Sequence, residues 1–598
     1  MLFKRIFLVL LLSSFLTPEK SLAQQAISGV INKYYRVIET AKECQQFIII
    51  DSLIQLKPHQ LILIHQTQGS IVDSSNSGSS GRIISLNNTG KWEFNRIMSQ
   101  NKDTVFLARP LRNTYMAFHT QLITVPEYKV VKTQGPIKAK PWDGSTGGII
   151  AIVADTLIIS DTISVRGLGF RGGKAFLGPE TINDSTYLAE CNSTHANAMK
   201  GEGVASGYSR LCGRGAWGNG GGGGNSHTGG GAGGSCVSRG GMGGWGDPSY
   251  NGIIGDPEAH KRSAGIGGYS LLAEDDLLFM GGGGGAGSDH ALTAGDGGNG
   301  GGILVLITNV IIATDTGIID ASGADGVPPN TSDPFHQDGG GGGGAGGTIL
   351  LQTRHITGVI KLISKGGNGT HTSRQGAGPG GGGSGGWIKL SLQTVPNSSL
   401  LINVEGGTGG LANGTSWGAT HGENGHIDTL QQPILVPDSQ FMPLPQIAYH
   451  WIGRRQVKVT INNADSCLWF DGIKECSRSL TYPASGFIHD SILIWRGDCF
   501  SIKTITLTMP MPNLLTPNGD GINDNLLINA PENGFISLKV FNKWGKVVYK
   551  CERQKQCIWK GTCSSRTCPN DTYFYVLTID YSDGEFYKQS GHITVITD

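Results

Sequence analysis

The sequence predicts a mainly β, multi-domain protein: a glycine-rich repeat array of strands and polyglycine helices, followed by Ig-like β-sandwiches towards the C-terminus. Three observations carry this. Most of the 94 glycines lie between Gly144 and Gly425, in runs such as Gly220–Gly224, Gly281–Gly285 and Gly339–Gly344. Apolar segments built to one plan punctuate those runs. Beyond Pro433 the glycine thins out, and short alternating β-branched and aromatic runs take over.

The recurring plan is a Gly-Gly, an alternating strand, a short connection, a second strand and a closing glycine. Gly147-Gly148 leads into IIAIVADTLIISDTISVRG and Gly301-Gly302 into ILVLITNVIIATDTGIIDASG. Gly346-Gly347 leads into TILLQTRHITGVIKLISKG and Gly385-Gly386 into WIKLSLQTVPNSSLLINVEG. Each copy closes as apolar-x-small-x-Gly, from Ile163-x-Val165-x-Gly167 to Ile402-x-Val404-x-Gly406. Glycine runs by composition alone suit a flexible linker, because glycine loses the most backbone entropy on ordering. Four copies at matching offsets argue instead for a stacked array. Within it the glycine runs are expected as extended, three-residue-per-turn helices, which pack closely because no side chain projects from them.

A chain of 598 residues exceeds one ordinary core, so several domains are expected. Basic and acidic residues number 47 and 46, a net charge of +1. That balance leaves no electrostatic footprint for nucleic acid. Residues 1–23 read as a secretory signal peptide: Lys4 and Arg5, then the apolar Ile6 to Leu16, then cleavage between Ala23 and Gln24. That apolar run is too short to span a bilayer, and no span is expected in the mature chain. Export permits disulfides, and the 11 cysteines are odd in number, so at least one thiol stays unpaired within the monomer.

Residues 24–140 read as an N-terminal β domain. Residues 141–428 are the glycine-rich body, with an insertion at 174–300 expected to decorate one edge of the array. Within it SLLAEDDLLFM looks helical. Residues 429–510 read as a proline-marked linker and a small β-sandwich acting as a spacer, and residues 511–598 as a separate C-terminal domain.

That last domain carries the most specific pattern. It reads Thr516-Pro517-Asn518-Gly519-Asp520-Gly521-Ile522-Asn523-Asp524, then Asn542-Lys543-Trp544-Gly545, Trp559 with Gly561, Tyr573-Phe574-Tyr575 and Gly591-His592-Ile593-Thr594. In order and spacing it resembles the gliding-motility-associated C-terminal domain, the type B sorting domain of type IX secretion. Lys543 replaces the usual Arg, Asn570-Asp571-Thr572 stands where the family has Asp-Gly-Thr, and the insert Cys551 to Cys568 is extra. The resemblance implies a β-sandwich recognised by the type IX translocon and delivery to the outer cell surface or the medium. Residues 45 to 410 resemble glycine-rich bodies of large exported Bacteroidota proteins, through Val125-Pro126-Glu127-Tyr128, Trp142 to Gly148 and Gly169-Phe170-Arg171-Gly172-Gly173. No activity comes with that second resemblance.

Read from its residues alone, the C-terminal domain is a set of alternating strands around Trp544 and Trp559. Asn518, Asp520, Asn523 and Asp524 place oxygen ligands on a glycine-rich loop. Calcium is one candidate occupant, although the EF-hand glutamate at the twelfth position is missing. The other reading is an Asx turn whose side chains bond their own backbone.

No catalytic set is present. Gly167-x-Gly169-x-x-Gly172 matches a dinucleotide fingerprint, but glycines and a proline follow where a helix must start. His290, His336, His371, His421 and His426, and Asp289, Asp296, Asp325 and Asp338, sit beside glycine turns, where solvated or turn-forming roles compete with metal binding. The expectation is a non-enzymatic secreted surface protein, an adhesin or structural element, meeting surface glycans or other cells. The alternative is an exported carbohydrate-active hydrolase or carbohydrate-binding protein, with Glu190, Glu202, Glu274, Asp275 and Asp276 as its only dense acids. No cofactor other than calcium is expected.

Overall fold

The computed structural model describes residues 24–175, 186–191, 198–207, 211–225, 227–251, 258–289, 293–329, 337–374, 376–394, 399–438, 445–453, 456–482, 487–496, 499–508, 513–530, 534–581 and 586–597. The signal segment with Ala23, and also His290 and His336, lie outside them. Two compact units divide the chain after residue 441.

The first unit is organised on a nine-stranded sheet. Its strands are β1 (Gln25–Gly29), β2 (Glu127–Lys138), β3 (Ile149–Ile159), β4 (Ile163–Ser164), β5 (Ile303–Asp320), β6 (Thr348–Ile363), β7 (Trp387–Thr394), β8 (Leu400–Asn403) and β9 (His426–Thr429). All neighbours are parallel. The residue after each Gly-Gly falls in one row: Ile149, Ile303, Thr348 and Trp387, joined by His426. The closing positions make a second row of Ile163, Ile319, Leu362 and Ile402. The connection expected inside each unit is absent from β5 and β6, which run unbroken, with a register shift between Ile312 and Thr316. A strand with neighbours on both sides keeps its ladder through a bulge, so the sequence break needs no loop.

Both faces of the sheet are buried, which is why these strands read as near-continuous apolar runs. Ile150, Ile152, Leu304, Leu306, Ile349, Leu351 and Ile388 share one core with Leu157, Ile163, Ile319, Ile360 and Leu362 from the later halves of the same ladders. Every fully buried member of that core lies on the sheet or its immediate ends. The opposite face, with Ile303, Val305, Leu350 and Trp387, packs on Leu61, Leu63, Phe94 and Ile123. Those residues belong to an antiparallel six-stranded sheet of residues 34–124. The expected boundary at residue 140 therefore moves. Glu127–Lys138 joins the central sheet, paired to β3 from Glu127↔Val153 to Lys132↔Ile158.

The insertion 174–300 does not decorate an edge. Residues 281–288 run through the middle of the glycine-rich segments, and their hydrogen bonds repeat every third residue. Gly281, Gly284 and Gly287 N–H donate to Gly301, Gly298 and Gly295; Gly282, Gly285 and Ser288 donate to Ser235, Ala232 and Gly229; Gly283 and Ala286 donate to Glu202 and Met199, all at 2.8–2.9 Å. Their carbonyls accept from Gly342 and Ala345, from Gly221 and Gly224, and from Gly173. Three segments thus take protons from this one and three give protons to it. A period of three with bonds leaving in every direction is the left-handed extended helix, which has no internal hydrogen bonds and must satisfy its backbone outside itself. The flanking runs obey the same rule: Gly378, Gly381 and Ser384 donate to Thr228, Gly231 and Gly234. Glycine is required because a Cβ on Gly283 would lie 2.0 Å from Arg171 O, and one on Gly285 2.0 Å from Gly222 O.

The second unit holds two smaller bodies. In the first, Gln446–Gly453, Gln456–Asn462 and Ser477–Thr481 form one antiparallel sheet and Ser466–Trp469, Phe487–Arg496 and Cys499–Thr508 another. They enclose Val457, Val459, Trp469, Ile492, Ile494 and Ile505. Cys467 and Cys476 are bridged there. In the second, a five-stranded sheet and the ladder of Leu526–Asn529 with Gln556–Trp559 enclose one core around Trp559, Ile536, Leu538 and Leu577.

Replacing Gly283 by Ala is expected to destabilise the first unit by about 3 kcal/mol or more, because backbone rather than a flexible side chain must yield. Gly78→Ala, which meets only Tyr187 Oη at 3.9 Å, is expected to be neutral. Thermal and denaturant unfolding of the two variants checks the difference.

Candidate functional site

The stretch SLLAEDDLLFM, read as helical, is not a helix. Ser270–Met280 holds a turn at Asp275-Asp276 and an isolated bridge from Leu277 to Lys91, with no helix. The cause lies on β7, where alternation puts Lys389 on the same face as Trp387. Lys389 is fully buried. Its ammonium donates to the carbonyls of Glu274 (3.0 Å), Asp275 (2.6 Å) and Leu277 (3.0 Å) and sits 4.0 Å above the Trp387 ring centre. A helix would need those carbonyls for its own N–H groups. Phe279 stacks on Trp387, Thr348 Oγ1 donates to Phe279 O, and Leu278 N–H donates to Gly90 O. The buried His65 lies with Nε2 3.0 Å from Leu278 O, and burial lowers its pKa to about 4, so it is neutral there. Burial also lowers the Lys389 pKa to about 8, against the attraction of Asp275, Asp276 and Asp428.

Pinned this way, the turn forms one wall of a cleft of about 370 Å³. Trp92 and Phe94 contribute an edge-to-face aromatic pair, 5.6 Å between centres. Arg112, Asp275, Asp276 and the strap 430–435 complete it. The strap is held by Gln352, whose amide exchanges two hydrogen bonds with Ile434, and by Leu430 N–H on Leu390 O. Beneath Arg112 lies Glu93, buried, with its pKa raised by that burial. Its carboxylate accepts from the Arg112 backbone and from Tyr115 Oη rather than opening to solvent. Asp276 is ion-paired with Lys91. A second hollow of about 490 Å³ lies on the other side of the turn, lined by Ile84, Asn87, Lys91, Leu272 and Glu274 among others.

The remaining sequence candidates do not converge. Glu202 is buried and consumed by Arg171 and Gln68. Glu190 lies exposed on a two-residue strand. His371 and His421 accept backbone N–H groups of Leu411 and Gly409. Asp296 and Asp325 receive Ala175 and Asn368 N–H. Asp289 receives Thr293 N–H and Asp338 its hydroxyl. No helix starts between Gly167 and Ala175, the described residues at which a nucleotide site would need one. Lys389 and the Trp92–Phe94 pair were missed. A lysine inside the apolar run WIKLSL was the available signal for the first.

In the C-terminal domain the loop oxygens meet backbone. Asp524 accepts Gly519 and Gly521 N–H, Asp520 accepts Ile522 N–H, and Asn518 accepts Asp520 N–H. Thr516 closes the loop on Ile522 and Asn523, with Asn523 left-handed at φ 56°. These are the bonds of an Asx turn. No group of three or more His, Cys, Asp or Glu side chains poised for a metal occurs among the described residues. Pro517 packs near Gly561. Tyr573 and Tyr575 are buried with Trp559.

Trp544, expected at the centre of that core, is 82% exposed whereas Trp559 is fully buried. It sits on a tight turn where Asn542 Oδ1 accepts Trp544 and Lys546 N–H and Gly545 adopts φ 78°. The turn joins Gly534–Phe541 to Val547–Gln554 and so lies beyond the strands that enclose the core. Lys543 pairs with Asp571 at 2.9 Å and holds that carboxyl below its ordinary range. The insert closes into two short disulfides, Cys551–Cys557 and Cys563–Cys568. In the first unit Cys191–Cys212 is bridged and Cys236 is a buried free thiol. Burial pushes the Cys236 pKa up to about 12.

Residues 509–595 match the CHU_C type IX secretion signal domain. That signal directs the chain to the secretion machinery and to the cell surface or extracellular space. No helix among the described residues is long and apolar enough to cross a membrane. No curated protein matches the chain. Among solved structures, similarity extends to CopC from Methylosinus trichosporium OB3b, at 10% identity over 15% of this chain and 86% of that one, TM-score 0.12. It also extends to Bacteroides ovatus SGBP-B in complex with a mixed-linkage heptasaccharide, at 13% identity over 30% and 49%, TM-score 0.12. Latent PorU from Porphyromonas gingivalis follows at 11% identity over 31% and 23%, TM-score 0.11. The chain thus spans under half of the last two, and none of the three carries a statement about its function.

Lys389→Met leaves one buried and two part-buried carbonyls without this donor and is expected to cost about 2–4 kcal/mol and to open residues 271–277 to protease. Because the folded-state pKa of Lys389 is lowered, the unfolded chain holds the extra proton between about pH 8 and the ordinary lysine value. Wild type should therefore gain stability relative to Lys389→Met as pH rises through that window. Denaturant titrations at stepped pH give the difference. Cys236 should react with maleimide only after unfolding, as followed by intact mass.

Proposed function

We propose that this protein is a non-enzymatic component of the cell surface, an adhesin or structural element exported by the Sec and then the type IX route. In this reading the glycine-rich segment is a stacked repeat array, of the kind borne by large exported Bacteroidota proteins. The two small bodies after residue 441 are Ig-like sandwiches, the first a spacer and the second the address. The carrying observation is the interlocked glycine bundle. Its interior is mostly backbone bonded to backbone, which builds a stiff support, and buried polar side chains such as Lys200 and Asn219 are spent on backbone carbonyls. Support also comes from the acids, since Glu202 and Asp276 are tied to Arg171 and Lys91. A glycosidase needs two carboxylates flanking one bond. The partners are the type IX translocon and, outside, surface glycans or other cells. A role in gliding motility belongs to the same proposal. Calcium at Asn518, Asp520, Asn523 and Asp524 would have to displace the backbone bonds of that turn.

The exposed Trp544 is the side chain of the C-terminal domain best placed to meet the translocon, because a large apolar ring held out on a tight turn gains from burial by a partner. Deleting residues 509–598 is expected to leave the protein in the periplasm. Trp544→Ala should lower surface delivery several-fold without changing the domain's melting temperature. Fractionation with surface protease shaving measures both. Surface delivery of the deleted chain at the wild-type level would overturn the assignment. Cells lacking the whole protein should adhere less, and purified protein should release no reducing ends from a polysaccharide panel.

A further inference from the structure

We propose that the cleft between the Asp275-Asp276 turn and the strap 430–435 is a binding site for a neutral glycan, with Trp92 facing the sugar ring and Asp275, Arg112 and Gln431 taking its hydroxyls. The proposal deepens the reading of a non-catalytic surface protein and rests on it.

Size and lining come first. At about 370 Å³ the cleft falls at the small end of ligand sites, about 300–1,000 Å³, which suits one or two sugar rings. A pyranose has an apolar C–H face and a rim of hydroxyls. The cleft answers both, with an aromatic pair from Trp92 and Phe94 and polar groups of both kinds around it. The carboxylate of Asp275 accepts, the guanidinium of Arg112 donates, and the amide of Gln431 does either. The Trp92 indole N–H, itself buried, has no acceptor among the described residues.

Charge then selects among ligands. Arg112 is answered by Glu93, Asp276 by Lys91, and Asp275 by the buried Lys389 beneath the turn. With Asp428, which also faces Lys389, four acids meet three bases, so no excess positive charge recruits an anion. The acids are already held by Lys91 and Lys389, and the aromatic wall ringed by hydroxyl-bonding groups fits a neutral, hydroxyl-rich ligand. The walls are also fixed before binding. Lys389 holds the carbonyls of Glu274, Asp275 and Leu277, and Gln352 holds Ile434. Preformed walls spare the ordering cost that weakens loop-built sites. The site binds rather than cleaves: Asp276 is committed to Lys91 and Glu93 to Tyr115 and the Arg112 backbone, which leaves Asp275 as a lone carboxylate.

The test uses the mature chain from Gln24 onward on an array of neutral, uronate-containing and sulfated oligosaccharides and short peptides. The best neutral hexasaccharide is then titrated by calorimetry. Neutral glycans should bind, and Asp275→Ala and Trp92→Ala should each weaken binding at least about tenfold. Gln431→Ala should weaken it less, and Ile84→Ser in the neighbouring hollow should leave it unchanged. Asp275 is exposed and its structural role runs through its carbonyl, so its variant stays informative even if Trp92→Ala fails to fold. Binding of charged probes alone, no glycan binding, or an affinity untouched by Asp275→Ala overturns the proposal. None of those results bears on export, which fractionation reads separately. Release of reducing ends from a bound neutral glycan would uphold the site while overturning the non-catalytic reading.

Discussion

The close approach of backbone to backbone is the constraint on which the first unit depends. Around residues 281–288 a Cβ would collide with a carbonyl oxygen at about 2 Å on almost every glycine. Only side-chain-free segments can come near enough for N–H and C=O groups to pair between helices that have no internal bonds. The cost is the large conformational entropy of ordering glycine, about 1–2 kcal/mol per residue. It is offset by a full set of inter-segment hydrogen bonds, each worth about 1 kcal/mol net, and by the burial of the sheet from which the glycine runs emerge. The bundle therefore cannot form piecemeal, because each segment is completed by neighbours far along the chain.

The same geometry organises the sheet. Glycine segments enter at one row of residues and leave near another, so β3, β5, β6 and β7 begin in register. Their apolar residues are buried on both faces. Among the described residues Lys389 is a charged side chain admitted into that interior, because three carbonyls at the Asp275-Asp276 turn receive it. Lys200 repeats the device within the insertion: fully buried, it donates to the carbonyls of Tyr187, Gly213 and Gly215. Buried lysine amino groups thus cap irregular chain that the polyglycine rule cannot accommodate, and in the case of Lys389 this shapes the wall of a surface cleft.

The C-terminal domain follows a different economy. It is small, built on a core around Trp559, and laced by two short disulfides in its insert. Its motif residues divide by role. Tyr573 and Tyr575 fill the core, Asp520 and Asp524 hold a turn, and Trp544 stands outside. A motif defined by sequence order mixes residues needed for folding with those available to a partner, and only their exposure separates the two.

Local patterns were legible from the chain because they express short-range physics. Alternation marked the strands, glycine pairs marked where they start, and the Thr516 to Asp524 and Trp544-Gly545 elements marked the secretion signal. Long-range decisions were not legible. SLLAEDDLLFM has helical spacing, yet Lys389, more than a hundred residues later, takes its carbonyls. The insertion looked peripheral because its length interrupts the repeated plan, yet its glycines complete the hydrogen bonds of the middle. Trp92, Phe94 and Arg112 meet Asp275 and Gln431 only because distant segments pack together. The sequence by itself determined the strands, the close-packing glycines and the export signal. The tertiary structure decided which backbone groups pair and which charges are buried, because those choices depend on neighbours that no local window contains.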